Sequence, residues 1–323
     1  MTTWTLFKPL DLARFDLWRD DDAAEPTLTT SSQYRLSHGQ QTLSLFGRGL
    51  LYHDGELLPF GDIFRIDLFD ALEQALQVLD IAWDLLHIVS YYNPLTDRWD
   101  LDGLRDYLFE QTDWFDGSEG DDDLQGFGGD DVLKGDGGVD GAHYRGMRAD
   151  YQLVRIDGGW SIADRNGSRD GSDRLEGIER LHFSDGAVAL DLDGAAGAVA
   201  RLVATLFGPP EIARADLMGI GLALLDDGVT AGALAALAAG SGYFAERAGS
   251  HTDEDFVRQV YRNVTGAEAD AAAIQHYAGL LASGTETQGS LALWASQTDL
   301  VAQRIDLVGL AASGIAYDAD AAS

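Results

Sequence analysis

The stretch Gly117-Ser-Glu-Gly-Asp-Asp122-Asp-Leu124-Gln, Gly126-Phe-Gly-Gly-Asp-Asp131-Val-Leu133-Lys, Gly135-Asp-Gly-Gly-Val-Asp140-Gly-Ala142-His decides how this chain is read. Three nine-residue units follow one another without a gap. Each opens on glycine, carries aspartate at its sixth position and an apolar residue at its eighth. A degenerate fourth copy precedes them, with Asp113 at the acidic position and Phe115 at the apolar one. Glycine admits positive φ, so such turns can aim carbonyl oxygens inward, and each aspartate adds a hard anionic oxygen. Six to eight oxygens at adaptable geometry are what calcium takes. A flexible acidic linker is the bland alternative, but it does not call for apolar residues in phase with the aspartates.

The units resemble Gly-Gly-x-Gly-x-Asp-x-apolar-x, the nonapeptide of RTX (repeats-in-toxin) proteins. The resemblance implies a parallel β-roll in which two nonapeptides make one turn and successive loops fall on opposite edges. It places Asp122 and Asp140 on one edge, and Asp131 on the other with Asp113 as its only partner. The candidate calcium ligands it implies are Asp113, Gly117, Glu119, Asp121, Asp122, Gly126, Gly128, Asp130, Asp131, Gly135, Gly137, Val139 and Asp140. Stacked carboxylates with little core between them should make folding depend on the metal.

Gly138 through Tyr151 and Asp170-Gly-Ser-Asp173-Arg-Leu-Glu-Gly-Ile178 through Phe183 resemble the β segment that closes such rolls. Asp173 there could reach a further ion, but is read first as a turn former. Strands are expected at 151–156, 160–162 and 181–183, with turns at Asp157-Gly158-Gly159 and Asn166-Gly167. Further on, Phe256-Val-x-x-x-Tyr261-x-Asn263-Val264-x-Gly266, Asp270, Tyr277, Leu280-Leu281-Ala-Ser-Gly284, Trp294-x-Ser296 and Gly314-Ile-Ala-Tyr317 resemble the domain of unknown function 4214. That helical module is common in type I-secreted and surface-layer-associated proteins. Its usual Gly-Arg-x-Pro-Asp turn is here Gly266-Ala-Glu-Ala-Asp270. Leu234 through Arg247 parallels Ser290 through Arg304, which suggests two related helical units offset by about 56 or 57 residues.

In the N-terminal third, alternation at Tyr34/Leu36 and Leu43/Leu45 and the Asp54-Gly55 turn predict strands. Leu72, Leu76, Leu79, Trp83 and Leu86 fall at helical spacing and predict a helix within 69–89. Leu45 through Tyr52 loosely resembles segments found upstream of RTX repeats. The expected fold is a multidomain α+β chain. It comprises a β-rich domain with one helix (1–107), a short parallel β-roll with flanking β segments (108–192) and an all-α domain of two related units (193–323).

Acidic residues outnumber basic ones 54 to 22, a net charge of −32, which argues against nucleic acid and anionic membranes as partners. The absence of cysteine removes disulfides, thiolate metal sites and thiol nucleophiles. The most apolar windows are interrupted by Asp80, Asp84 and Arg201, so no membrane insertion is expected. The first residues lack a basic region followed by an apolar run, so export is expected by another route. No His-Glu-x-x-His, Gly-x-Ser-x-Gly or phosphate-binding loop occurs. The histidines at 38, 53, 87, 143, 182, 251 and 276 show no pairing at ligand spacing and are read as surface or structural. The expectation is therefore a non-enzymatic, extracellular calcium-binding protein that meets the type I secretion machinery and then a cell surface or surface layer. A secreted hydrolase or carbohydrate-active enzyme with an N-terminal site, and a partner-binding module, are the alternatives.

Overall fold

The computed structural model describes residues 109–321 except Ser168, without the side chains of Leu307 and Val308, and the backbone of ten strands within residues 2–99. Two compact units divide the chain, Met1–Asp185 and Gly186–Ser323.

The strands of the first third are β1 (Thr2–Leu6), β2 (Glu25–Thr30), β3 (Gln33–His38), β4 (Gln41–Arg48) and β5 (Tyr52–His53). After them come β6 (Glu56–Leu57), β7 (Asp62–Asp70), β8 (Glu73–Asp84), β9 (Tyr92–Asn93) and β10 (Arg98–Trp99). β5 pairs antiparallel with β6, and β3 with β4; the Asp54-Gly55 turn expected between β5 and β6 lies outside the described residues. The helix expected within 69–89 is corrected: Glu73–Asp84 is a twelve-residue strand. It lies between β1 and β7 in the sheet order and pairs antiparallel with both. Leu76, Leu79 and Trp83 fit helical spacing, but Val78 and Ile81 fill the gaps with β-branched residues.

From residue 113 the chain forms two parallel ladders. One contains β11 (Asp113–Asp116), β13 (Val132–Lys134) and β17 (Ser172–Glu176). In it Phe115 pairs with Leu133 and Leu133 with Leu175. The other contains β12 (Asp123–Leu124), β14 (Gly141–His143) and β18 (Arg180–Phe183). There Leu124 pairs with Ala142 and Ala142 with Leu181. All six of these apolar side chains are at most 1% exposed, so the eighth position of each repeat supplies the core. Residues one step either side alternate to the opposite face, as the pleat requires. Lys134 there bridges Asp116 at 3.1 Å and Asp136 at 2.7 Å.

Between β14 and β17 a hairpin of β15 (Tyr151–Ile156) and β16 (Gly159–Asp164) interrupts the ladders. Arg145 anchors its base, bonding the buried Asp170 carboxylate at 2.6 Å and the Phe127 carbonyl at 2.9 Å.

The second unit is helical. Helices begin at 195, 215, 231 and 242, and again at 253, 271, 288 and 299, at offsets of 58, 56, 57 and 57 residues. Their apolar faces share one core that includes Val203, Leu206, Phe244, Phe256 and Leu291. The unit is not all-α, which corrects the expectation: β19 (Gly186–Ala189) pairs antiparallel with β20 (Ile315–Tyr317). Gly314, at φ 70°, ends the preceding helix, and Ile315 and Tyr317 alternate inward as a half-buried strand does. No helix among the described residues is long and apolar enough to cross a membrane.

Candidate metal centre

The loops of the repeats stack in two columns, one at each edge of the parallel ladders. In the first, the Asp113 amide donates to Asp131 Oδ1 at 2.8 Å, and the Asp131 amide donates to Asp173 Oδ1 at 3.0 Å. In the second, the Asp122 amide donates to Asp140 Oδ1 at 2.9 Å, and the Asp140 amide donates to Glu179 Oε2 at 3.0 Å. The structure thus brings together Asp122 with Asp140 and Asp113 with Asp131, the pairs that the RTX resemblance implies. It adds Asp173 and Glu179. Asp173 is corrected from turn former to a member of the column, 2% exposed.

The aspartates of both columns are buried. Asp113 and Asp140 are fully covered, and Asp122 and Asp131 nearly so. Asp131, Asp140 and Asp173 each use Oδ1 for the amide of the preceding turn. The Oδ2 atoms of Asp131 and Asp140 are buried without a hydrogen-bond partner. No arginine or lysine among the described residues pairs with Asp131, Asp140 or Asp173. Other buried aspartates of this unit do have one, Arg169 for Asp164 at 2.9 Å and Arg145 for Asp170. Asp122 differs: its Oδ2 accepts from the Ser118 amide at 2.6 Å and the Ser118 hydroxyl at 2.9 Å.

Burial, reinforced by the Asp173 carboxylate, pushes Asp131 up to about 9. Burial likewise raises Asp140 to about 7, with Glu179 adding the largest charge repulsion. Asp173 rises to about 8 by burial, with Asp170 and Asp130 adding repulsion. Desolvated carboxylates without cationic partners either take up protons or bind a cation.

The first-position glycines make room for this chemistry. A Cβ on Gly126 would lie 2.3 Å from Asp131 Oδ2, and one on Gly135 would lie 2.3 Å from Asp140 Oδ2. Of the other candidate residues, Gly117 is buried and its amide donates to the Lys134 carbonyl at 2.7 Å. Glu119 and Gly137 stack on each other across the second column, and the Gly128 amide reaches the Phe109 carbonyl in the first. Asp121 and Asp130 are exposed and spend Oδ1 on neighbouring loops, Asp121 on the Val139 amide at 2.7 Å and Asp130 on the Ser172 amide at 2.9 Å. They brace the stack from outside.

Orphaned anionic oxygens with carbonyl-rich loops around them fit a hard cation, and the oxygen-only donor set fits calcium. The repeat Gly171-Ser-Asp173-Arg-Leu175 carries the same signal as Gly129-Asp-Asp131-Val-Leu133, displaced by the inserted hairpin.

In the helical unit, the side-chain amide of Asn263 donates to the Thr205 and Leu206 carbonyls at 3.0 and 3.1 Å, closing the end of helix Ala195–Leu206. Gly266, at φ 77°, ends helix Asp253–Thr265, and Asp270 caps the next helix by accepting from the Ala273 amide at 2.8 Å. The turn therefore keeps both caps without the arginine and proline of the family pattern. Residues 235–299 match the family model of the domain of unknown function DUF4214. Tyr261, Asn263, Gly266, Asp270 and Trp294 fall within the DUF4214 segment. No curated protein matches the chain.

Proposed function

We propose that residues 108–192 form a short RTX-type β-roll clamped by calcium, in a non-enzymatic protein exported by type I secretion. The observation that carries the reading is the pair of buried, partnerless oxygens, Asp131 Oδ2 and Asp140 Oδ2, each in a column of carboxylates repeating every two nonapeptides. Calcium held there joins successive turns of the roll and removes the repulsion between their aspartates. The ligands are Asp131 and Asp140 with loop carbonyls, and Asp113, Asp122, Asp173 and Glu179 complete the columns. Low cytosolic calcium keeps such a chain unfolded for passage, and external calcium folds it. The DUF4214 segment then serves association with a cell surface or surface layer. Circular dichroism and thermal melting of the full chain, with calcium and after its removal, test this reading. Unchanged spectra and melting would defeat it.

A second reading, partner binding by the helical unit, is favoured by an apolar hollow lined by Phe256, Val260, Tyr277, Leu291 and Trp294, with Trp294 58% exposed at its rim.

A further inference from the structure

The parallel ladder of β12, β14 and β18 carries a second group of donors on its outer face. Leu124, Ala142 and Leu181 point into the core, so the residue before Leu124 and the residues after Ala142 and Leu181 face the other way. These are Asp123, His143 and His182. His143 and His182 are register partners, and their rings stack with centroids 4.5 Å apart and planes 12° apart. His143 Nε2 lies 2.9 Å from Asp123 Oδ1. One donor atom from each of the three residues lies within 4.8 Å of the others.

The strand between the donors is cut away to allow this. Gly141 is the register partner of Asp123, and a Cβ there would lie 2.6 Å from Asp123 Oδ1 and 3.4 Å from His182 Nε2. A side chain at 141 would occupy the ground on which the carboxylate and the second imidazole converge. Glycine at the seventh position of this one repeat, where the other two have Asp123 and Val132, keeps it clear.

The geometry points to a transition-metal site formed by Asp123, His143 and His182, distinct from the calcium columns and taking a divalent ion of the zinc class. Two imidazole nitrogens and one carboxylate oxygen match zinc, copper or nickel, whereas calcium takes oxygen donors. Ligands on one zinc ion sit about 2.0–2.2 Å from it, so three donor atoms within 4.8 Å of one another need only modest rotamer changes to share an ion. Burial, with the neighbouring His143, lowers the His182 pKa to about 4, so this imidazole is neutral, its metal-binding form, near neutral pH. The side chains of His143 and Asp123 are 29% and 45% exposed, which leaves the site open to ions from solvent. The surplus of acidic residues favours cation approach. The site stands on the strand register and does not require the loops to hold calcium.

The test is zinc binding to the full chain at neutral pH with calcium saturating, by equilibrium dialysis with metal analysis, repeated with cobalt for its visible spectrum. The expected result is one tight equivalent and tetrahedral-type cobalt bands. His143→Ala, His182→Ala and the shape-conserving Asp123→Asn should each weaken it by at least about tenfold. Melting in calcium should be unchanged in Asp123→Asn, which separates lost ligation from lost folding. Absence of a tight equivalent, or zinc binding of equal strength in Asp123→Asn and His143→Ala, would overturn the assignment, the latter placing zinc on the loop carboxylates.

Discussion

The backbone amide of Asp122 donates to the carboxylate of Asp140, eighteen residues later, at 2.9 Å, while the second oxygen of Asp140 stays buried without a hydrogen-bond partner. One oxygen of the side chain holds the stack together, and the other is the one that the proposed calcium would take. The same division of labour recurs at Asp131 beneath Asp113, so the device belongs to the repeat rather than to one loop.

Replacing Asp140 by asparagine keeps the acceptor for the Asp122 amide and removes the charge. Metal-free stability should rise by about 1–3 kcal/mol, because a buried ionisable group is lost. Calcium affinity should fall, so the melting temperatures with and without calcium should draw together. Paired melts of wild type and Asp140→Asn check both signs.

The metal-free protein should lose stability as pH rises. Asp140, Asp173 and Asp131 have native pKa values of about 7, 8 and 9, above their unfolded value of 3.8. Between that unfolded value and each native value the unfolded chain is ionised while the native group holds its proton, and linkage then favours unfolding as protons are removed. Metal-free melting temperature should therefore fall from mildly acidic to mildly alkaline pH. Saturating calcium should reverse the trend, because the ion binds the deprotonated form. Melts across pH on dialysed protein, with and without calcium, decide it.

Gly126→Ala should be costly for a reason unrelated to backbone freedom. The new methyl would sit 2.3 Å from Asp131 Oδ2 and must displace the carboxylate. A loss of about 1–3 kcal/mol is expected in calcium, together with weaker calcium binding. Denaturant unfolding and calcium titration of the variant measure the two effects.

Asn263→Ala strips two buried carbonyls, those of Thr205 and Leu206, of a donor. About 1–3 kcal/mol should be lost from the helical unit, with no change in calcium affinity. Thermal melts followed by helical circular dichroism, beside a calcium titration, test this separation.

The carboxylate columns were legible because the RTX resemblance implies two nine-residue units per turn, which places residues eighteen apart side by side, as Asp122 and Asp140 are. Glu179 escaped, and Asp173 ranked as a ligand only behind a turn former, because the β15–β16 hairpin stretches their spacings to 39 and 42 residues, although Gly171-x-Asp173-x-Leu175 repeats the local pattern. The Asp123–His143–His182 group was invisible to linear spacing, since strand register, not sequence distance, brings the two imidazoles together. At Glu73–Asp84 both periodicities were present, and a place between two strands decided for the sheet.

The most direct measurement is isothermal titration of calcium into the metal-free full chain, beside the Asp131→Asn/Asp140→Asn double variant. Saturable binding of at least one ion, accompanied by proton release and lost in the double variant, is the predicted result. Heats no greater than those of the double variant would contradict a calcium clamp at these aspartates.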